Sequence, residues 1–360
     1  MTGMQAAEPV FSDFTEQTQA PEPKIERFTF TGTGSEYFRI WIVNLLLTIV
    51  TLGIYSAWAK VRRTRYFYDN THLAGSTFEY HGNPIAILKG RIVAVALFGS
   101  YNVLAHFYPA AALGLFAALM LVWPWFAWKS IQFKLFNSSY RGIRFGFRGS
   151  LGEAYKVFLF LPIAAVFTLY ILAPFVHHQY KAFQHNESRF GGTFFSFHAK
   201  VGKFFRAYGI MLALLIGGLV ALGIAAVTVK LTGMTKLIPG PAMFVIGMIA
   251  FYVWLFMLFP IFLTMIQKLV WNNTRLGTHR FHSAIRWEKM AYIMITNLVG
   301  IIFTLGLFIP FAKVRSMRYQ VETMSMVSTE NLDNFLADTQ AKLSATSEGM
   351  ADLLDFDFSL

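Results

Sequence analysis

Seven long apolar stretches constrain the fold of this chain more than any other feature. A helix of about 20 apolar residues is long enough to cross the roughly 30 Å hydrocarbon core of a bilayer. The composition agrees, because 55% of the 360 residues are hydrophobic and 14% are charged, whereas about 25% are charged in soluble domains. We therefore expect an all-α polytopic membrane protein with apolar helical segments at residues 36–59, 91–108, 109–128, 155–176, 205–229, 241–266 and 290–311.

The net charge of +12 conceals an uneven distribution along the chain. Residues 1–26 and 320–360 are acidic, whereas residues 27–319 hold 29 of the bases and six acids. The bases cluster at the ends of the apolar stretches, which predicts contact with anionic lipid head groups rather than nucleic acid. We expect an acidic disordered tail at 1–27, a membrane domain at 28–323 and a second acidic tail at 324–360. The C-terminal end alternates acidic and hydrophobic residues, which is typical of a segment that orders on a basic partner, either another protein or this protein's own basic face.

The basic segments leave two topologies open. Positive charge is expected on the cytoplasmic side, and bases follow the first, third, fourth, sixth and seventh apolar stretches. Seven simple crossings cannot place all five on one side. Either the rule is partly violated, or stretches one, four and seven are broken and return to the side they entered. The candidate breakers are Thr51-Leu52-Gly53, Ala173-Pro174 and Thr304-Leu305-Gly306.

Two internal repeats organise the chain. The segment from Asn44 to Tyr66 recurs 253 residues later, from Asn297 to Tyr319, and the repeat keeps Gly53, Lys60, Arg62 and Arg65 as Gly306, Lys313, Arg315 and Arg318. A weaker pattern follows several apolar stretches: a polar cluster, a glycine, and aromatic residues two apart, as in Phe78-x-Tyr80 and Phe145-x-Phe147. This alternation predicts short β-hairpins at the membrane surface, with outward-facing aromatic side chains against the head groups.

One stretch carries a family resemblance. The residues from Phe30 to Phe38, from Thr51 to Arg62, and Asn70-Thr71 resemble the YjgN family, bacterial inner-membrane proteins of undefined function. The resemblance extends over about residues 28–323 and implies a multi-pass protein of the bacterial inner membrane. It implies no catalytic or ligand-binding residues.

Polar residues within the repeated apolar segments are the candidate binding site. Polar side chains at membrane depth need partners, and broken helices build central binding sites in many transporters. The alternative is that they form hydrogen bonds between helices and hold the two halves together. These candidate ligand-binding residues are Asn44, Thr48, Thr51, Asn297 and Thr304.

Two basic runs are a second candidate site. They are suited to grip a lipid phosphate or another anion, or to anchor the helix ends and set their orientation. The residues of these runs are Lys60, Arg62, Arg63, Arg65, Lys313, Arg315 and Arg318.

Small residues at every fourth position of the fifth stretch, including Gly209, Ala213 and Gly217, predict close helix packing. With no cysteine and no familiar ligand spacing, no metal or cofactor site is expected. No catalytic motif is present, so we do not expect an enzyme. The remaining hypotheses are a transporter or channel for a small solute or ion, and a non-enzymatic envelope protein that interacts with lipid.

Overall fold

Five pairs of helices, each followed by a short β-hairpin or by the closing strand, make up the fold. The computed structural model describes residues 24–233 and 240–328, together with Phe335, Ala337 and Thr339. The first helix pair is α1 (Gly34–Val50) and α2 (Ser56–Asp69), and the second is α3 (Pro84–Phe107) and α4 (Pro109–Phe136). The third is α5 (Leu151–Tyr155), a π-helical stretch (Lys156–Phe160) and α6 (Leu161–Phe167), followed by α7 (Ala173–Asn186). The fourth is α8 (Val201–Leu231) and α9 (Gly240–Trp271), and the fifth is α10 (Trp287–Phe303) and α11 (Ile309–Glu322).

Three of the described helices, α1, α3 and α5, begin at a residue whose side chain caps the first turn. Thr33 and Ser150 each accept a hydrogen bond from the backbone N–H of a glutamate three residues on, and the glutamate carboxylate accepts one in return. This reciprocal arrangement satisfies two N–H groups that the first turn of a helix leaves without partners. Asn83 caps α3 and is followed by Pro84, whose fixed φ suits the first helical position.

Of the two topologies that the sequence left open, the one with seven spanning helices is wrong. Within the described residues, four helices are long and apolar enough to cross a membrane: α3, α4, α8 and α9, with 24 to 32 residues each. The other three apolar stretches each contain a turn, as the broken-segment alternative expects. Helices α1, α2, α7, α10 and α11 have 14 to 17 residues. At 1.5 Å per residue they fall short of the roughly 30 Å core.

The three interrupting turns share one design. Each places a threonine after the last helical residue, followed by a leucine with φ near +50°, namely Leu52, Leu169 and Leu305. The threonine hydroxyl donates to a carbonyl four residues back and accepts the N–H four residues on; for Thr304 these bonds are 2.7 and 2.9 Å long. In the third pair the turn lies at residues 168–172, just before the predicted breaker Ala173-Pro174, which instead begins α7. Pro174 lies in the first turn of α7, where its missing N–H would have no partner within the helix.

Ten described strands form a closed antiparallel barrel, so the all-α fold class is wrong. The barrel order follows the chain, and β1 closes the ring by pairing with β10, where Lys24 lies opposite Ser328. The strands are β1 (Lys24–Phe30), β2 (Thr71–Leu73), β3 (Ser76–Tyr80), β4 (Ser138–Tyr140), β5 (Ile143–Phe147), β6 (Ser188–Phe190), β7 (Thr193–Phe197), β8 (Thr274–Leu276), β9 (His279–Ser283) and β10 (Met324–Ser328).

Barrel closure explains how such short strands persist. An isolated two-stranded hairpin is marginally stable in water, and its edges leave backbone groups unpaired. Here each hairpin pairs with the next, and closure removes the edges. The tight turns Ala74-Gly75 and Arg141-Gly142 have positive φ at both residues, as the two-residue turns that match strand twist require.

The aromatic residues of the hairpins point into the barrel, not outward to lipid as predicted. Five phenylalanines, one from each of the four hairpins and one from β1, lie around the inner wall, and four neighbouring pairs have ring centroids 6.1 to 6.5 Å apart with nearly parallel planes. Alternate strand residues face the interior of a barrel, so the aromatic spacing fixes the inner face. This phenylalanine ring consists of Phe28, Phe78, Phe145, Phe195 and Phe281.

The packing prediction for the fifth stretch selected the wrong face of α8. No described atom outside the helix lies within 4 Å of a Cβ built at Gly209 or Gly217. The close approach occurs at the neighbouring Gly218, whose missing Cβ leaves space for the Trp254 indole of α9. Both faces of α8 carry small residues, so sequence spacing could not decide between them.

Candidate functional site: an axial cavity

The helix pairs form a ring, because each pair contacts the next and the fifth contacts the first. The second helix of every pair runs directly into a strand of the barrel, so α2, α4, α7, α9 and α11 stand around the barrel mouth. At four of these junctions a hydroxyl at the start of the strand donates to the carbonyl four residues back: Thr71, Ser138, Ser188 and Thr274, at 2.6 to 2.8 Å. This bond fixes how each helix enters its strand.

The common junction places equivalent positions of the five helices around one axis. The residues three positions before the strands all face the same space: Tyr68, Leu135, His185, Trp271 and Val321. So do residues four and seven positions before the strand in most of the helices, among them Lys134 and Lys181. These residues and the inner wall of the barrel enclose a cavity of about 540 Å³, which we call the axial cavity.

The charged groups lining the axial cavity are basic. Lys134 from α4 and Lys181 from α7 line it together with the His185 imidazole, and the described lining residues include no aspartate or glutamate. The Lys181 ammonium lies 3.5 Å from Gln184 Oε1. Burial, and then the positive charge of Lys134, lower the pKa of Lys181. A bound anion would relieve both effects, because it replaces lost hydration and offsets like-charge repulsion.

The polarity of the cavity changes along the axis. At the helix ends the lining includes the hydroxyls of Tyr68 and Ser138, which are 3.2 Å apart. Deeper in the barrel the lining consists of the phenylalanine ring and, closer to the hairpin turns, of Leu73, Tyr140 and Phe190. The Tyr140 hydroxyl donates to the Leu73 carbonyl at 2.6 Å. The cavity is therefore cationic and hydroxyl-bearing at one end, and largely apolar at the other.

The far end of the barrel holds a residue from beyond the last strand. The Phe335 ring lines the axial cavity, 4.4 Å from the His279 ring and 6.5 Å from the Phe190 ring. The neighbouring Thr339 is buried. Of the acidic tail at 324–360, the described residues are 324–328, Phe335, Ala337 and Thr339.

The predicted ligand-binding residues lie outside this cavity and bond within their own helix pairs. Buried Asn297 donates to the Ala312 carbonyl and the Ser316 hydroxyl at 3.0 and 3.1 Å, and accepts from Arg315 at 3.0 Å. Asn44 accepts from Arg62 at 3.4 Å in the matching position. Thr48 donates to the Asn44 carbonyl, and Thr51 and Thr304 shape the interrupting turns.

The two basic runs divide into two groups. Four arginines donate hydrogen bonds to asparagine side chains or backbone carbonyls of the protein: Arg62, Arg65, Arg315 and Arg318. Lys60, Arg63 and Lys313 face other bases, since nearby positive charges from Arg91, Arg63 and Lys134 add to burial in lowering the pKa of Lys60. Burial and Arg63 do the same for the pKa of Lys313.

Sequence reasoning did not single out Lys134 or Lys181, and it considered His185 only as a metal ligand, an interpretation that it did not favour. The repeat did contain a signal for positions that face the axis. Aligning the helix pairs on the serine or threonine that begins β2, β4, β6 and β8 puts Lys134 and Gln184 at the same position, and Leu135 and His185 at the next. The sequence of a single helix does not show which of its faces points to the axis of the ring.

Comparison with known proteins places the chain in a family. Residues 25–353 match the family model described as bacterial protein of unknown function, DUF898. The chain belongs to this DUF898, or YjgN, family. It is 35% identical over 144 residues to inner membrane protein YjgN of Salmonella typhimurium. The aligned stretch covers 40% of this chain and 36% of that protein. It is 34% identical over 142 residues to the YjgN protein of Escherichia coli K12, covering 38% and 34% of the two chains.

The match to these YjgN proteins spans about a third of their length. No solved structure matches the chain. Both relatives are named inner membrane proteins, and four described helices are long and apolar enough to cross a bilayer. This DUF898 chain is accordingly a bacterial inner-membrane protein.

Proposed function

We propose that this protein is a multi-pass transporter or channel, without enzymatic activity, that admits small anions along the axis of its helix ring. The observation that carries the proposal is the axial cavity, which is lined by two lysines from different helix pairs and by no described carboxylate. A closed ring of helices offers a route between the spanning segments, and cations on that route favour anions.

The proposed topology rests on charge and exposure. Helices α3, α4, α8 and α9 cross the membrane, while the other three pairs enter it and return. The tips of the returning pairs expose Leu52, Leu169 and Leu305 by 86 to 95%, which suits hydrocarbon better than water. The basic helix ends and the barrel then lie on the cytoplasmic side, as the excess of positive charge favours.

A flux measurement tests the proposal. The purified protein is reconstituted into phosphatidylcholine vesicles, and the efflux of chloride, nitrate and potassium is compared with that from empty vesicles. We expect anion efflux above the background, reduced about tenfold in the Lys134→Gln/Lys181→Gln double variant. Lys268→Gln, an exposed lysine on α9 outside the cavity lining, is the matched control and should leave the efflux unchanged. Potassium selectivity, or no efflux beyond empty vesicles, contradicts the proposal.

A second candidate function is lipid interaction, favoured by the outer wall of the barrel. Arg275 and Arg280 lie directly opposite each other on β8 and β9, and Arg144 and Arg189 occupy neighbouring strands. Like charges in cross-strand pairs are destabilising, so an anionic lipid surface would stabilise this arrangement. Retained anionic lipid in the purified protein, lost in Arg275→Gln/Arg280→Gln, would support this function even without any flux.

A further inference from the structure

The axial cavity has two chemically different halves, and this difference restricts what can occupy it. Its helix-end half presents Lys134, Lys181 and hydroxyl groups. Its barrel half presents Leu73, Phe190 and the phenylalanine ring. A fully hydrated inorganic anion would place its water shell against the apolar half, so that apolar surface would remain in contact with water. A neutral hydrocarbon would leave the ammonium groups of Lys134 and Lys181 without a counter-charge.

We infer that the axial cavity binds an amphipathic organic anion, with its carboxylate or phosphate at Lys134 and Lys181 and its apolar body directed toward the phenylalanine ring. This inference rests on the proposed anion pathway and names the class of its substrate. The acidic group gains two charge-assisted hydrogen-bond donors. The apolar body gains contact with aromatic faces while leaving water.

The size of the cavity narrows the class further. About 540 Å³ falls within the 300–1,000 Å³ typical of small-molecule sites. Such a space takes a medium-chain fatty acid or an alkyl phosphate. A two-chain phospholipid is too bulky to enter whole, so a lipid-derived occupant would be a single-chain species.

The barrel end supports occupancy by a molecule of limited length. Phe335 stands between His279 and Phe190 at that end and lines the same cavity. An apolar body that passes the phenylalanine ring therefore meets another aromatic face rather than open water. The polar end of the ligand has to remain at the lysines.

Binding is tested on the full chain in phosphatidylcholine nanodiscs by isothermal titration calorimetry, with empty nanodiscs subtracted. The probes are decanoate, decyl phosphate, decanol, lysophosphatidylglycerol and inorganic phosphate. We expect decanoate and decyl phosphate to bind at least tenfold more tightly than decanol, and inorganic phosphate to show no saturable binding. Comparing decanoate with lysophosphatidylglycerol distinguishes a free organic acid from a single-chain lipid.

Variants assign the two halves separately. Lys134→Gln and Lys181→Gln should each weaken decanoate about tenfold, or about 1.4 kcal/mol, and leave decanol unchanged. Lys134→Arg/Lys181→Arg keeps the charge and should restore binding, which separates charge from folding. Phe195→Ala should weaken decanoate and decanol alike, and Lys268→Gln should change neither.

The outcomes are separable from those of the flux experiment. Equal affinity for inorganic phosphate and decanoate, or decanoate binding unchanged by both lysine variants, overturns the inference. Chloride efflux without decanoate binding leaves the proposed function standing and removes this substrate class. Decanoate binding without any efflux keeps the site and contradicts the transport function.

Discussion

The shared position of Lys134 and Lys181 in the cavity is visible only in the folded structure. In the sequence each is one base among several near the end of an apolar stretch. In the structure they line one cavity from two different helix pairs, and the positive charge of Lys134 helps to lower the pKa of Lys181. The arginines that the sequence made equally prominent, Arg62 and Arg315, instead bond to Asn44 and Asn297 within their own helix pairs.

A pair of adjacent glycines in α8 gives the sharpest residue-level prediction. Gly218→Leu should lower the melting temperature of the detergent-solubilised protein, because the new side chain meets the Trp254 indole. Overpacking of this kind costs about 1–3 kcal/mol. Gly217→Leu is the matched control and should melt as the parent protein does, since no described neighbour lies within 4 Å of its Cβ. The opposite order of the two variants would refute the packing of α8 on α9.

The partly buried His185 predicts a pH dependence of stability. Burial, and then the positive charge of Lys181, lower the pKa of His185 from 6.5 to about 4. Between these two values the unfolded chain binds a proton that the folded protein does not, so stability falls as the pH is lowered from 6.5 toward 4. The free energy of unfolding should decrease by up to about 2 kcal/mol between pH 7.5 and pH 5.

His185→Gln removes this titrating group and supplies the control. Its unfolding, followed by circular dichroism in urea at both pH values, should show a smaller decrease than the parent protein. An equal decrease in the free energy of unfolding of the two proteins would mean that folding does not lower the pKa of His185.

At the scale of elements, the interrupting turns determine which helices are short. Thr304 caps the turn between α10 and α11 by donating to Gly300 and accepting from Phe308. Thr304→Val removes the acceptor and should destabilise the protein by about 1 kcal/mol, measured by thermal unfolding. Thr296→Val is the control, because the Thr296 hydroxyl bonds only to carbonyls of its own helix. Equal melting of the two variants would show that the turn does not depend on its cap.

The strands illustrate why the fold class was predicted incorrectly. The aromatic alternation correctly indicated hairpins, since Phe78 and Tyr80 lie on β3 and Phe145 and Phe147 on β5. Three- to five-residue strands carry no signal of what they pair with, and alternation alone does not say which face is buried. The pairing of β1 with β10 joins the two ends of the membrane domain, which no local pattern contains.

At the scale of the whole molecule, the topology is open to direct labelling. The chain contains no cysteine, so single cysteines can be introduced and tested with a membrane-impermeant maleimide in spheroplasts. Tyr108→Cys, between α3 and α4, should react from outside. Arg144→Cys, on the barrel wall, should react only after permeabilisation, and Leu52→Cys, at a turn tip, should resist the reagent in both conditions.

Each position tests a different part of the arrangement. Reaction of Arg144→Cys in intact spheroplasts would place the barrel outside. Rapid reaction of Leu52→Cys would show that the first helix pair reaches water across the membrane.

The sequence by itself determined that this is a helical membrane protein, because apolar length and scarce charge act locally and are read directly from the chain. It also located the interrupting turns of the first and last pairs and the matched Asn–Arg positions, since these are short-range features carried by the repeat. Only the tertiary structure decided that four hairpins close into one barrel with β1 and β10, that Gly218 rather than Gly217 meets α9, and that Lys134 and Lys181 share a cavity. Those outcomes depend on contacts between residues distant in sequence, where the direction of a side chain is set by its partners and not by its neighbours along the chain.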